Sequence, residues 1–269
     1  ELCVRTFVLD GEDVLTSAQT CPAYRLAAQV HGRRLVEAPM KARSGYDLEA
    51  IKKLLSRRTK IVFLANPDSP TGTWLGEAEL TPFLDAVPKD TLVVLDEAYV
   101  EFADAPGFPD ALALRRRYPN LVVLRTFSKV HGLAGLRLGY GVARPDVVDY
   151  IERVRPTHHV NAIAQAAGVA ALGDDGHVAR SRALVQEERP FLAAGLAALG
   201  ASVLPSQANF LLADFPGRPA KELADALLRE CVAVRPLASS GFPTALRITV
   251  GPRALNERLL SALGKVLGK

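Results

Sequence analysis

Short apolar runs alternate with helical patterns along the first 142 residues of the chain. The runs that predict strands cover residues 14–16, 35–37, 61–65, 91–95, 121–126 and 138–142. Helical spacing of apolar positions predicts helices over residues 24–30, 47–56 and 77–87. Asp47 is placed as the N-cap of the second helix, and Gly32 is placed to end the first. This alternation predicts a largely parallel sheet flanked by helices.

The pattern changes after Pro145. Long helical patterns cover residues 146–154, 162–172 and 177–199, and Pro156 and the turn residues 173–176 separate them. Further strands are expected at residues 208–213, 232–235 and 246–250, with helices over residues 220–230 and 253–266. We therefore expect a large α/β domain over residues 1–160 and a smaller α+β domain over residues 161–269.

The first seven residues already show apolar positions at helical spacing, although the chain starts without Met. This pattern predicts a helix at the start of the chain. We also expect an upstream segment that this sequence does not contain.

Composition narrows the class of protein. The 269 residues are 49% hydrophobic, enough for a large globular core. The net charge of +4 is small and the basic residues are scattered, so we expect small anionic ligands and no nucleic acid. Cys3, Cys21 and Cys231 are too few for a disulfide framework or a zinc site, which favours the cytoplasm. No apolar run has the length of a membrane span, so we expect no membrane partner.

Polar residues follow the third, fourth and fifth predicted strands. Asn66, Asp96 and the pair Ser128-Lys129 stand directly after these strands. Because doubly wound folds build their sites at the carboxyl ends of parallel strands, we expect these side chains to converge. Taken singly, Asn66 is typical of a turn, Asp96 of an N-cap and Lys129 of the surface. Together with Arg137 in a glycine-rich loop, Lys129 indicates a site for an aldehyde cofactor.

Several motifs carry a resemblance to a known family. The chain has Asn66-Pro67 with Pro70-Thr71-Gly72, then Asp96-Glu97-Ala98-Tyr99, then Ser128-Lys129 with Gly135-Leu136-Arg137-Leu138-Gly139-Tyr140. Their order and spacing resemble the signature of the class II pyridoxal-phosphate (PLP) aminotransferases of fold type I. Residues 160–167, 205–210 and 246–251 are similar to the histidinol-phosphate aminotransferase subfamily. The resemblance implies a mostly parallel sheet flanked by helices, with a smaller C-terminal domain.

The resemblance implies roles around the cofactor ring. Lys129 corresponds to the lysine that binds the PLP aldehyde and later moves the substrate proton. Asp96 corresponds to the carboxylate that pairs with the pyridine nitrogen and favours its protonated form. Tyr99 and Asn66 correspond to the residues that hydrogen-bond the 3′ oxygen of the cofactor.

Other roles concern phosphate and substrate. Ser128 and Arg137 correspond to residues that contact the cofactor phosphate. Arg247 corresponds to the arginine that binds the substrate α-carboxylate, and Arg235 to the position that meets the distal phosphate of histidinol phosphate. Arg235 also fits a solvent-facing position of an alternating strand. His131, His158 and His159 lack metal-ligand spacing, so no metal is expected.

The activity that the resemblance implies is transfer of an amino group from histidinol phosphate to 2-oxoglutarate, in histidine biosynthesis, by a homodimer. One alternative is the same chemistry on an aromatic or other amino acid. A threonine-phosphate decarboxylase, a non-catalytic PLP-binding effector domain and an inactive paralogue are further alternatives.

Two features depart from the family. Cys21 stands where relatives carry a tyrosine that stacks on the cofactor ring. The small-residue loop that binds the cofactor phosphate precedes the position of Glu1 in relatives, so this chain lacks that loop.

Overall fold

The computed structural model describes residues 1–41 and 45–269. Within these ranges the chain forms two β-sheets with helices packed on them. The strands are β1 Asp13–Ser17, β2 Arg34–Ala38, β3 Thr59–Ala65, β4 Leu92–Asp96, β5 Leu121–Thr126, β6 Gly139–Val142, β7 Ser202–Val203, β8 Phe210–Asp214, β9 Arg235–Pro236 and β10 Ala245–Thr249. The helices are α1 Leu2–Phe7, α2 Pro22–Val30, α3 Leu48–Leu54, α4 Glu77–Ala86, α5 Ala111–Arg117, α6 Pro145–Val154, α7 Ala162–Leu172, α8 Asp175–Ala198, α9 Ala220–Arg229 and α10 Arg253–Leu267. Short 3-10 helices cover Val100–Phe102, Ala134–Leu136 and Ala238–Ser240.

The larger sheet is doubly wound. Its strand order is β2-β1-β3-β4-β5-β6, in which the first five strands are parallel and β6 is antiparallel to β5. After β2 the chain crosses back over β1 to form β3, so the direction of winding reverses between β1 and β3. Open α/β sheets bind ligands at this reversal, outside the carboxyl ends of the strands.

Successive residues of the central strands point to opposite faces of this sheet, and helices cover both faces. Leu64 and Leu95 pack with α3, α4 and α5 on one face. Phe63 and Val94 pack with α1, α2 and α6 on the other. Because both faces are buried, these strands appear in the sequence as unbroken apolar runs. Full burial of a leucine, as at Leu64 and Leu95, contributes about 2 kcal/mol each.

The smaller sheet is antiparallel throughout. Its order is β7-β8-β10-β9, and α8, α9 and α10 pack on one face of it. Leu192 and Leu196 of α8 are fully buried in this core. None of the described helices combines the length and the apolar character needed to cross a bilayer.

The chain departs from the predicted elements at a few places. The predicted strand at 232–235 is wrong except at its last residue, because β9 begins at Arg235. Val232 still donates its N–H to Leu227 of α9, and Cys231 has a left-handed φ of 58°. The pattern did not predict α5, whose Asp110 N-cap accepts from the N–H groups of two following residues, or the two-residue β7.

Residues between β7 and β8 contact two loops that belong to the N-terminal half of the chain. Gln207 accepts hydrogen bonds through Oε1 from the N–H groups of Asp104 and Ala105, at 2.6 and 2.8 Å. Gly72 has φ of 76°, and a Cβ there would lie 2.3 Å from Ser206 Oγ. Glycine at position 72 therefore permits both the backbone turn and the close approach of the C-terminal half.

An ion pair links the ends of β4 and β5. Glu97 is fully buried, and its Oε2 accepts from Nε and Nη2 of Arg125 at 2.9 and 2.8 Å. No described atom pairs with Glu97 Oε1. Burial raises the pKa of Glu97 to about 7, and the charge and hydrogen bonds of Arg125 limit the rise. The folded protein therefore holds a proton that the unfolded chain releases near pH 4.5.

This difference predicts a pH dependence of stability. Between pH 4.5 and about 7 the folded state binds the extra proton, so stability falls as pH rises and levels off above that window. Glu97→Gln should flatten the slope by on the order of 1 kcal/mol per pH unit. Urea unfolding at several pH values measures it, with the exposed Glu222→Gln as the matched control. An unchanged slope in Glu97→Gln would contradict the assignment.

Candidate active site

A cavity of about 370 Å³ opens at the carboxyl ends of β1, β3, β4 and β5. Each of these strands, or the segment that follows it, contributes to the lining. The predicted site residues that line the cavity are Asp96, Tyr99, Ser128, Lys129 and Arg137. Lys129 and Asp96, more than thirty positions apart in sequence, thus face the same space. A larger cavity of about 520 Å³ lies beside β5, β6, α1 and α6 and contains none of the predicted residues.

Asp96 is the acidic group of the cavity. Its Oδ2 accepts a hydrogen bond from the Tyr24 hydroxyl at 2.9 Å, and its Oδ1 accepts from the Ala98 N–H at 3.1 Å. Burial raises the pKa of Asp96, whereas Tyr24, Ala98 and the positive charge of Lys129 oppose the rise. A cation against this carboxylate would remove the cost of burying its charge.

Lys129 lies on the segment that follows β5. Its Nζ is 5.1 Å from the centroid of the Tyr99 ring. Tyr99 is buried and packs edge-on against Phe210 of β8, with ring centroids 5.0 Å apart. The tyrosine therefore holds one wall of the cavity against the smaller sheet, and the ammonium group lies over its ring.

Ser128 and Arg137 also line the cavity. The Ser128 N–H donates to Thr126 Oγ1 at 3.0 Å. Arg137 has a left-handed φ of 54°, and its Nη1 donates to the Ala134 carbonyl at 2.7 Å. Its side chain is exposed, so the guanidinium has further N–H groups for an anion at the mouth.

Arg247 reaches the edge of the cavity from the smaller sheet. Its Nη1 donates to Ser69 Oγ at 3.2 Å, and its guanidinium carbon lies 5.1 Å from the Phe210 ring centroid. Burial lowers the pKa of Arg247, and the nearby charge of Arg235 adds to the effect. A carboxylate or phosphate at this guanidinium would relieve the cost of burying its charge.

The structure does not bring Asn66 to the cavity. The side chain is fully buried, with Nδ2 donating to the Leu75 carbonyl at 3.0 Å and Oδ1 accepting from the Leu75 N–H at 2.9 Å. Asn66 therefore braces the loop that follows β3. Pro67 and Ser69 of the same loop line the cavity instead. Sequence spacing alone did not show which loop residue turns inward.

Arg235 lies on β9 directly opposite Arg247 in the antiparallel register. Its side chain is exposed and does not line the cavity. The pair nevertheless places two guanidinium groups at one edge of the site.

Sequence reasoning missed Tyr24 and Ser69 as site residues. Tyr24 is on the first turns of α2, stacks on Phe63 at 4.7 Å and sends its hydroxyl to Asp96. The available signal was its position on the helix that follows β1, one of the strands whose carboxyl ends surround the cavity.

Cys21 also lines the cavity as the N-cap of α2. Burial raises the pKa of its thiol to about 11, which disfavours the thiolate.

The arrangement suits a ring with a cationic nitrogen and an anionic substituent. A carboxylate, an amine that can attack a carbonyl and Arg137 line one cavity, and Arg247 donates to Ser69 at its edge. Among the described residues, no three His, Cys, Asp or Glu side chains group as metal ligands. The amine of Lys129 and the carboxylate of Asp96 suit covalent binding of a carbonyl compound and proton transfer.

Comparisons with known proteins identify relatives along the whole chain. A protein called histidinol-phosphate aminotransferase from an Anaeromyxobacter strain is 75% identical over 100% of this chain and 74% of its own length. One of the same name from Symbiobacterium thermophilum is 45% identical over 100% and 73%. The crystal structure of histidinol-phosphate aminotransferase from Sinorhizobium meliloti in complex with pyridoxal-5′-phosphate superposes with a TM-score of 0.90 at 32% identity. It covers 99% of this chain, which spans 73% of that protein.

These relatives confirm the predicted fold class, an α/β fold with a mostly parallel sheet flanked by helices. The family model for aminotransferase class I and II matches residues 1–263. The chain therefore belongs to the class I and II aminotransferase family.

Proposed function

We propose that the protein transfers the amino group of histidinol phosphate to 2-oxoglutarate, in histidine biosynthesis. The observation that carries the proposal is the meeting of Lys129, Asp96 and Arg137 in one cavity, with Arg247 bonded to Ser69 at its edge. The names of the relatives at 75% and 45% identity support the same donor.

The residues of the cavity fit pyridoxal phosphate. Asp96 is a half-buried carboxylate that forms no ion pair with the described side chains, which suits a protonated pyridine nitrogen. Ser128 and Arg137 offer a hydroxyl and a guanidinium for the phosphate, and Tyr99 offers a hydroxyl for the ring oxygen. Asn66 does not line the cavity, so we propose that it supports the loop that carries Pro67 and Ser69. When bound, the cofactor supplies an aldehyde and an electron-withdrawing ring.

Lys129 has two tasks in this proposal. Its amine would hold the cofactor between turnovers. With substrate bound, the same amine would carry the proton that leaves the amino-bearing carbon. Asp96 keeps a negative charge at the far end of the site, and the Tyr24 hydroxyl stabilises that charge.

Arg247 and Arg235 would bind the anionic ends of the two substrates. 2-Oxoglutarate offers an α-carboxylate, which suits the fork of Arg247. Histidinol phosphate offers a phosphate ester instead, and a second guanidinium on the adjacent strand suits its larger charge.

We also propose the organisation of the whole protein. The boundary between a large and a small domain falls near residues 160 and 161, and the two separate sheets support it. The free state of Cys3, Cys21 and Cys231 supports a reducing compartment such as the cytoplasm.

Absorbance tests the cofactor assignment. Purified protein with added PLP should develop the visible band of cofactor joined covalently to a lysine, and histidinol phosphate should shift it. Lys129→Ala removes the amine, so the band should be absent. The exposed Lys221→Ala, which changes the same residue type on α9, should keep the band. A band that persists in Lys129→Ala would refute the role of Lys129.

Substrate comparison tests the donor. We expect kcat/KM for histidinol phosphate to exceed that for phenylalanine by about a hundredfold, because the second arginine adds a charged contact of about 2–3 kcal/mol. Steady-state rates with 2-oxoglutarate as acceptor measure it. A higher value for phenylalanine would favour the alternative of an aromatic aminotransferase.

Dimerisation rests on two exposed apolar side chains of α7. Val169 and Leu172, three positions apart on one side of the helix, are 74% and 61% exposed, which suits burial against a second copy. Light scattering after gel filtration should give the mass of a homodimer. Val169→Glu should shift it toward the monomer, whereas Leu228→Glu, a leucine 61% exposed on α9, should not. A monomeric wild-type protein would contradict the proposal.

A further inference from the structure

Asp68 is a fully buried carboxylate beside the cavity that the proposed reaction does not use. It lies in the loop after β3, between Pro67 and Ser69. None of the described Lys, Arg or His side chains forms an ion pair with it. Its charge is instead met by neutral donors, an arrangement that proteins retain only where the hydrogen bonds are complete.

The donors come from three separate segments. Thr20 Oγ1 donates to Asp68 Oδ1 at 2.5 Å, and the Tyr46 hydroxyl lies 3.1 Å from the same oxygen. Thr71 donates to Oδ2 through Oγ1 at 2.6 Å and through its N–H at 3.4 Å. Burial raises the pKa of Asp68, and the bonds from Thr20, Thr71 and Tyr46 lower it.

Tyr46 extends the cluster to the end of β3. Its oxygen accepts the Ala65 N–H at 2.9 Å and lies 2.6 Å from Thr20 Oγ1. Ala65 itself lines the cavity. The carboxylate therefore fixes the end of β3, the loop that follows it and the segment after β1 relative to one another.

Two of these segments hold the charged groups of the site. Thr20 precedes Cys21, the N-cap of α2, and α2 carries the Tyr24 hydroxyl that donates to Asp96. Ser69, the neighbour of Asp68, accepts from Arg247. Thr20 thus connects Asp68 to the helix that contacts Asp96, and Ser69 connects Asp68 to Arg247.

We propose that Asp68 is a positioning residue that sets the separation between Asp96 and Arg247 through Thr20 and Ser69. The inference rests on the proposed function for the roles of those two residues. Asp68 touches neither substrate nor cofactor. Its effect reaches the substrate through Ser69 and Arg247, and the cofactor through α2, Tyr24 and Asp96.

Asp68→Asn tests this inference because it keeps the shape but removes the charge. The Thr71 N–H can only donate a hydrogen bond. If the new amide places its NH₂ group there, that hydrogen bond is lost; if it places its oxygen there, the NH₂ group faces Thr20 and Tyr46 instead. In the holoenzyme we expect the KM for 2-oxoglutarate to rise about tenfold, the scale of one lost hydrogen bond to a charged group. The Kd for PLP, measured by equilibrium dialysis of the apo protein, should rise by a similar factor.

Double-mutant cycles separate positioning from a general loss of stability. If Asp68 acts through Ser69, its effect on KM should shrink to less than threefold in a Ser69→Ala background. If it acts through α2, its effect on the Kd for PLP should shrink likewise in a Tyr24→Phe background. Asp13→Asn is the control, since Asp13 is another buried aspartate but lies at the amino end of β1, the end opposite to the cavity.

The outcomes are decisive in either direction. The inference is supported if Asp68→Asn no longer changes KM in the Ser69→Ala background and no longer changes the Kd for PLP in the Tyr24→Phe background. Asp13→Asn must also leave KM and Kd unchanged. Full additivity in both cycles, no change in Asp68→Asn, or equal changes in Asp13→Asn would overturn it. If Asp68→Asn does not fold, Thr20→Val removes one donor and is judged by the same criteria. A wild-type enzyme that does not accept histidinol phosphate would defeat the proposed donor alone, since 2-oxoglutarate and PLP are measured separately.

Discussion

The partial burial of Asp96 at the carboxyl end of β4, which raises its pKa, is the constraint on which the site depends. A carboxylate in this position is costly unless donors and a cation compensate it. The Tyr24 hydroxyl, the Ala98 N–H and the nearby Lys129 provide that compensation in part. The remaining free-energy cost of burying the Asp96 charge favours a cationic ligand in the cavity.

Some polar groups line the cavity, and others lie outside the lining and hold the surrounding segments together. Lys129, Asp96 and Tyr99 line the cavity. Buried clusters centred on Asp68 and Glu97 connect the segments that follow β1 and β3, and the end of β4 to the end of β5. Because rigid support reduces the freedom of the side chains in front, such clusters influence binding without touching a ligand. The two halves of the chain meet here as well, where Arg247 donates to Ser69.

Much of the fold could be predicted from apolar runs, because a strand buried on both faces leaves an unbroken hydrophobic segment. The strands from β1 to β5 and helices such as α7 appear in the structure at or near their predicted positions. β9 was misplaced because Val232 and Val234 are apolar for packing against the C-terminal core, not for strand pairing. β7 has only two residues, which is too short for any pattern.

The sequence by itself determined the order of the elements and the residues that stand at strand ends, since both follow from local patterns of apolar and polar residues. It also carried the family resemblance in the motifs around Asp96 and Lys129. Only the tertiary structure decided that Asn66 binds the Leu75 backbone while Ser69 faces the cavity, and that Tyr24 reaches Asp96. The physical reason is that side-chain direction within a loop depends on hydrogen bonds to segments distant in sequence, which no local pattern encodes.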